Sequence, residues 1–585
     1  TQGATIRVAW TASVLPSWQA AAKNSRIDHP EIMFRRQGAI EREEVARRLT
    51  LPCSCLAVFA VAVSHAFVAE DAFITMRTVD NLLAGYGLRW NVDERVQTFT
   101  HPLWLLAVTP VYAVTRSVFA SLVSLGLLFS TAAYWLVASR YQERPAILLM
   151  FVFGPWISSH AVVKYSTSGL ENSLTFLLVA AFAAQLLRDD EPRWGRLGLI
   201  AALCAVNRLD TSLLFAPALL WLLVVHRKTV NWHRFLSGFL PLVAWLLFSL
   251  VYFGFLFPNT AHAKLPPEIP AELYLRQGLR YLADLLWNDP VAAVFLAADI
   301  VAIAVLARTA GSHRRVSRRM AAFGTGAVGY VIYVIVIGGD FLSGRFWAAP
   351  VVASIAVCAF AAAPFARQYD KLSTAARALR IVASLAAMVG VHWVTAGRDA
   401  IAQDHVVAYP RGRWTLSSGG LGWEANRQAK LFALVGHRAR QHARVADNPV
   451  SCLSVIGMSG FAAGPSVVIV GRFGIVDPLI ARLPPACSQR FKPGHVVRTI
   501  PNGYLAARST GQHAGLEPGL AEYDSLLSLV VSGTLFDKER LTTILGFLWG
   551  AYDHHLARYA NSQQERCGPG PSPGQPNKHR GKHLP

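Results

Sequence analysis

The sequence predicts a polytopic α-helical membrane protein with a C-terminal mixed α/β domain outside the membrane, and three observations carry that prediction. Of 585 residues, 53% are hydrophobic and only 16% charged, with a mean hydropathy of +0.34; a soluble protein carries about 25% charged residues. Apolar runs such as 174–187 and 235–257 contain no acidic residue and approach the roughly 20 residues that cross a hydrocarbon core. Basic clusters fall between apolar segments with no acid among them: Arg308, Arg314, Arg315, Arg318 and Arg319 in one gap, Arg227, Lys228 and Arg234 in another. Such loops stay cytoplasmic. The net charge of +21 therefore reports membrane orientation. The lipid bilayer is the expected partner, and nucleic acid is not.

Along the chain, residues 1–49 read as a cytoplasmic or disordered N-terminal segment. Its first 32 residues lack helix caps and a long apolar run, and Met33-Phe34-Arg35-Arg36 has the character of a cytoplasmic start. Residues 50–397 form the transmembrane domain, with twelve apolar segments near 50–69, 102–115, 118–138, 146–162, 171–187, 195–206, 211–226, 235–255, 290–307, 320–338, 345–365 and 380–397. With the loops 227–234, 308–319 and 366–380 inside, the stretches 207–210, 256–289, 339–344 and all residues after 398 lie outside. Arg42, Arg47 and Arg48 place the N-terminus inside, and so residues 70–101 outside. Those ends require an odd number of crossings. Eleven transmembrane helices are expected, with one segment in 102–162 not spanning and thirteen as the alternative.

Residues 398–565 change character, with polar stretches, the glycines 419, 420 and 422, and β-prone runs such as Val467–Val470. Their length suits a domain with its own core. Residues 566–585 are a Gly/Pro/basic tail, expected to be disordered. Cys53, Cys55, Cys204 and Cys358 fall in apolar segments as small packing residues. A Cys452–Cys487 disulfide in the outer region is left open.

With orientation set, polar groups gather on the outer side. Glu70-Asp71 follows the first membrane segment and precedes an amphipathic stretch and the return Thr98-Phe99-Thr100-His101-Pro102-Leu103-Trp104. Lys164 to Asn172 includes Ser168-Gly169 and Glu171; Asn207-Arg208-Leu209-Asp210 interrupts an apolar stretch. Phe257 to Leu265 carries His262 and Lys264, and Gly338-Gly339-Asp340-Phe341-Leu342-Ser343-Gly344-Arg345 joins two membrane segments. Each set alone reads equally as an ion pair closing a helix hairpin, Arg208 with Asp210 or Asp340 with Arg345. Several such sets on one side point to a polar cavity. Lys164, Arg208, Lys264, Arg345 and His262 suit a phosphate, which arginine binds bidentately. Glu70 or Asp71 suits proton abstraction from a hydroxyl or stabilisation of an oxocarbenium-like centre. Neither a Walker A motif nor a dinucleotide fingerprint is present, so nucleotide-driven chemistry is not expected.

These residues, in order, resemble the membrane-embedded GT-C glycosyltransferases, and most closely the bacterial terminal β-(1→2)-arabinofuranosyltransferases of cell-wall arabinan synthesis, with relatives that arabinosylate pilin. The resemblance runs from about residue 67 to 560. It rests on Glu70-Asp71-Ala72-Phe73-Ile74, Asn91 to Gln97, Thr100 to Trp104, Ser168 to Glu171, Asn207 to Asp210, Phe257 to Thr260 and Gly339 to Phe346. It continues in Gly471 to Arg482, Pro493-Gly494-His495 and Pro501 to Leu505. Two departures stand out: the family opens with Asp-Asp where this chain has Glu70-Asp71, and an acid is expected where Gly471 stands.

The resemblance implies an enzyme that takes a sugar, D-arabinofuranose, from a polyprenyl-phosphate donor and transfers it to a glycan or protein acceptor at the outer face of the plasma (inner) membrane. It implies Asp71 and Glu70 as catalytic candidates, with Arg345, Lys264, Arg208, Lys164, His262, Asp340, Asp210, Glu171 and His101 around donor and substrate. No cofactor is required and a divalent metal is not indicated. A lipid-linked sugar transporter or flippase would share the polar cavity and broken helices, and a GT-C enzyme using another polyprenyl-phosphate sugar would share the whole site. The large outer domain and the lack of a visible inverted repeat favour an enzyme.

Overall fold

In the computed structural model the described residues are 30–188, 190–311, 314–365, 372–396, 427–446, 448–487 and 492–567. Six of their helices are long and apolar enough to cross a membrane: Arg47–Ser64, Val118–Tyr141, Pro290–Arg308, Arg314–Val336, Ala348–Phe365 and Thr374–Thr395. Six shorter apolar helices accompany them, Pro102–Thr115, Pro145–Ser158, Asn172–Leu186, Trp194–Asn207, Leu209–Val225 and Leu240–Tyr252. Each of the twelve apolar segments of the sequence carries one of these helices. Six reach spanning length, so the expected eleven crossings would need five of the shorter ones as well.

Without a hydrophobic force between helices in lipid, close contact through small residues does the packing. Gly326 lies so near the helix Ser212–Val225 that an added Cβ would meet the Leu214 carbonyl oxygen at 2.1 Å. Helix Val118–Ala138 packs along Asn172–Leu186, and Pro290–Arg308 along both Arg314–Val336 and Ala348–Ala362. Asn172–Leu186 and Ala348–Ala362 are buried almost throughout. Those two helices form the centre of the bundle, and the polar residues at their starts gather at one end of it.

At that end the non-spanning elements collect: helix Ala72–Leu83, the short helix Asn259–Lys264, the amphipathic helix Ala271–Asn288, and the C-terminal elements. The last comprise helix Arg427–Val445, strand β1 (Val450–Leu453), helix Gly457–Ala463, strand β2 (Val468–Gly471) and helices Tyr504–Thr510, Pro518–Ser532, Lys538–Leu548 and Asp553–Cys567. β1 and β2 pair in parallel, with Val450 opposite Val468 and Leu453 opposite Gly471. The β content among the described residues is thus one two-stranded sheet, and helices dominate. The boundary at residue 398 lies outside the described residues.

These C-terminal elements hold an apolar cluster that includes Val470, Leu479, Ile480, Tyr504, Leu520 and Leu527. They are also bolted to the loops below. Buried Arg77 donates to the carbonyls of Trp90 (2.8 Å), Val467 (2.7 Å) and Gly460 (2.5 Å). Asn91 exchanges hydrogen bonds with the backbone of Ile469, and Asn259 donates to the carbonyls of Gly474 and Asp477. Cys452 is a free, exposed thiol while Cys487 is disulfide-bonded, so the Cys452–Cys487 bond is not formed.

Candidate active site

The turn between helices Arg314–Val336 and Ala348–Ala362 carries the arginine on which the site is built. Gly339 adopts φ +70°, and a Cβ there would meet the Tyr281 ring at 2.5 Å; only glycine fits. Three side chains then pin the turn: the Tyr281 hydroxyl donates to the Leu342 carbonyl (2.9 Å), Tyr165 to Ser343 (2.9 Å), and Asn172 to Arg345 (3.1 Å). Arg345 is left buried, facing three carboxylates: Glu171 at 3.2 Å, Asp340 at 3.3 Å and Asp71 at 3.6 Å. Its Nε has no hydrogen-bond partner among the described residues.

Glu171 ties the other groups to it. Fully buried at the start of helix Asn172–Leu186, it accepts from Arg208 (2.8 Å) and Arg345, and lies 3.3 Å from His101 Nδ1. Burial alone would raise its pKa, but Arg345, His101 and Arg208 outweigh burial and hold the carboxyl below the usual range. The arginines show the converse: burial would lower them, yet the facing acids, Glu171 first for Arg345 and Asp210 first for Arg208, keep both firmly charged. Burial pushes His101 down to about 4, with Arg345, Arg208 and Lys264 acting in the same sense against Glu171. The ring is therefore neutral near pH 7. With its proton on Nδ1 toward Glu171, Nε2 accepts from the Thr75 hydroxyl at 2.7 Å.

Both ion pairs that would close helix hairpins do form. Arg208 grips Asp210 through two nitrogens (2.8 and 2.9 Å), and Asp210 also accepts from Tyr330. Arg345 meets Asp340. Each arginine nonetheless reaches past its hairpin partner to Glu171, and that shared carboxylate joins the two hairpins. The Arg208 guanidinium also stacks over Phe346, 4.1 Å from the ring centre.

A narrow pocket of about 50 Å³ opens beside this cluster, lined by Asp71, Thr75, His101, Lys264, Phe341 and Arg345 and roofed by Gly494 and His495. Lys264 has no carboxylate within 4 Å among the described residues, and burial, then Arg345, lower its pKa. Of the sequence candidates, Asp71, His101, Lys264 and Arg345 face this pocket, with Glu171, Arg208, Asp340 and Asp210 directly behind. Lys164 lies instead near Asp284 and Asp289. His262 lines a separate cavity of about 670 Å³ with Phe255, Arg482 and Tyr523, and burial followed by Arg482 pushes it down to about 3. On the six-residue helix Asn259–Lys264, positions 262 and 264 are turned to different cavities.

Sequence reasoning passed over Thr75, Phe341 and His495 as site residues. Phe341 and His495 meet edge to face at 4.3 Å, a contact between segments some 150 residues apart that no local pattern marks. Both stood inside recognisable motifs, the one available signal.

Glu70 turns away from the pocket, and its carboxylate accepts from the Met458 amide at 3.0 Å. Burial and then the Asp71 charge push it up to about 7 against the Met458 and Gly457 amides. The folded protein therefore holds a proton that the unfolded chain releases between the ordinary carboxylate range and about pH 7, and stability falls as pH rises through that window. Melting curves between pH 5 and 7.5 are expected to show a smaller fall in Tm for Glu70→Gln than for the unsubstituted protein. Equal slopes would place the titration elsewhere.

No family model matches the chain. It is 29% identical over 352 residues to the terminal beta-(1->2)-arabinofuranosyltransferase of Mycobacterium tuberculosis, covering 52% of this chain and 54% of that protein. It is 27% identical over 327 residues to the Corynebacterium glutamicum protein of the same name, covering 49% and 47%. The chain thus spans about half the length of the curated relatives it matches. Among solved structures it is similar to ArnT from Cupriavidus metallidurans at 12% identity. The form bound to undecaprenyl phosphate has a TM-score of 0.41, covering 77% of this chain and 83% of that one; the apo form has 0.42, covering 84% and 92%. The resemblance carried by the motifs is matched by sequence similarity to two proteins named terminal β-(1→2)-arabinofuranosyltransferase.

Proposed function

We infer that this chain is a membrane glycosyltransferase that moves D-arabinofuranose from a polyprenyl-phosphate donor to a hydroxyl of a glycan or protein acceptor, at the outer face of the plasma membrane. The observation that carries the reading is one pocket in which a carboxylate, Asp71, faces the buried Arg345 and Lys264, which has no ion-pair partner among the described residues. The sugar identity rests on the motifs and on the two named relatives. The sidedness rests on the basic loops at 227–234 and 308–319.

In this reading the acceptor hydroxyl attacks the anomeric carbon, its proton passes to Asp71, and the bond to the phosphate oxygen breaks with the electron pair leaving on polyprenyl phosphate. Charge develops on that phosphate, and fixed cations in a water-poor site stabilise it without reorganising. Lys264 and Arg345 fill that role. Glu171 (3.2 Å) and Asp340 (3.3 Å) hold Arg345 in place, each closer to it than Asp71 (3.6 Å). His101, neutral, adds a polar wall without a further charge. The test is incubation of the purified protein with a panel of polyprenyl-phosphate sugars and an arabinan acceptor. Transfer restricted to another sugar would keep the enzyme class and overturn the donor.

Arg345→Lys keeps the charge and loses the fork that reaches Glu171 and Asp340 together. A loss of about 1–3 kcal/mol in transition-state stabilisation is expected, the scale of a hydrogen bond to a charged group. It is read as a fall in kcat/KM. Unchanged turnover in Arg345→Ala would leave Arg345 a purely structural clasp.

A further inference from the structure

We propose that the segment Phe536–Trp549 of the C-terminal region inserts its apolar face into the lipid leaflet at the end of the membrane helix Leu240–Tyr252. Helix Lys538–Leu548 is well delimited. Asp537 caps its start by accepting from the Arg540 amide (3.0 Å), and at its end Gly550 and Ala551 donate back to the Phe547 and Gly546 carbonyls. Its inner face is Arg540, Thr543 and Ile544, all buried. Its other face presents Leu541, Leu545 and Leu548 at helical spacing, flanked by Phe536 and Trp549, which are 77% and 85% exposed.

A soluble surface rarely gathers five large apolar side chains in one stripe. What covers this one follows from where the helix is anchored. Arg540 donates to the carbonyls of Val251 (2.9 Å) and Tyr252 (3.2 Å), the last residues of Leu240–Tyr252. Arg95 donates to the same Tyr252 carbonyl. Two arginines thus close the end of an apolar helix whose Leu240, Val243 and Leu247 are exposed along its length, as side chains facing lipid are. The stripe on Lys538–Leu548 therefore stands at the level where that helix leaves the hydrocarbon. An amphipathic helix lying in the interface, with a tryptophan at headgroup depth, fits this position. Exposed Phe257 and Leu265, just beyond the same helix end, extend the apolar surface.

The proposal goes beyond the reaction and holds whichever leaflet that end occupies. It is tested in the full chain with exposed Cys53 and Cys452 replaced by serine and a nitroxide attached through Leu545→Cys, Trp549→Cys or, on the polar side, exposed Glu539→Cys. In phosphatidylcholine–phosphatidylglycerol proteoliposomes, labels at 545 and 549 are expected to relax with oxygen more than with a water-soluble nickel chelate, and the label at 539 the reverse. Nickel access at 545 and 549 equal to that at 539 would overturn the proposal. So would dipolar broadening between labels at 545, which would assign the stripe to a second copy of the chain. Transfer activity plays no part in this readout, so a failure here leaves the glycosyltransferase reading untouched.

Discussion

Asp71→Asn is expected to slow glycosyl transfer by about 10²–10⁴-fold, the usual share of general-base catalysis, while donor binding is retained. The expectation rests on placement. Glu70 and Asp71 leave the chain side by side, but Glu70 is spent on the backbone of Met458 and only Asp71 faces the pocket with Arg345 and Lys264. Asp71 occupies the N-cap position of helix Ala72–Leu83 without making a cap hydrogen bond, so its oxygens are not held by the helix. Asparagine preserves the shape and removes the basicity. Rates for Asp71→Asn and Glu70→Gln, measured with the same donor preparation, decide between them. A dead Glu70→Gln beside an active Asp71→Asn would exchange their roles. Full activity in both would move the base to Asp340, Asp210 or Glu171.

Glu171→Ala is expected to have the second large effect, on the fold as well as on the rate. Its carboxylate lies between Arg345, Arg208 and His101 with no exposed surface. Removing it leaves two buried guanidinium groups short of a counter-charge, a situation that costs about 3–5 kcal/mol when one partner of a buried pair is deleted. Thermal unfolding in detergent should show a clear fall in Tm for Glu171→Ala, and a smaller one for Asp210→Asn, whose carboxylate, among the described residues, serves Arg208 and Tyr330. If Glu171→Ala melted with the unsubstituted protein, the arginines would have to be balanced by Asp71, Asp340 and Asp210.

Much of this was legible in the sequence because the bilayer imposes a strong pattern: apolar runs and acid-free basic loops. The individual polar residues at helix ends were legible too, since an arginine such as Arg208 in an apolar stretch has few inexpensive positions. Their sorting was not. Lys164 and His262 are as cationic on paper as Lys264, but which cavity a side chain enters depends on rotations such as that between positions 262 and 264 on a short helix. The shared use of Glu171 by two hairpins also lies beyond local pattern, because Arg208 and Arg345 approach it from helices far apart in the chain. The C-terminal part showed its β-prone run at Val467–Val470, realised as β2 (Val468–Gly471). Its attachment through Arg77 and Arg540 to loops and helix ends leaves no signature in either segment alone.

The most direct measurement is release of free polyprenyl phosphate from polyprenyl-phosphate D-arabinofuranose by the purified, reconstituted protein. Release is expected only when an acceptor hydroxyl is supplied, in step with arabinofuranose appearing on the acceptor, and it should be lost in Asp71→Asn. A donor that stays intact in the presence of acceptor, but crosses the bilayer of the vesicle, would contradict transfer and make the pocket part of a lipid-sugar flippase.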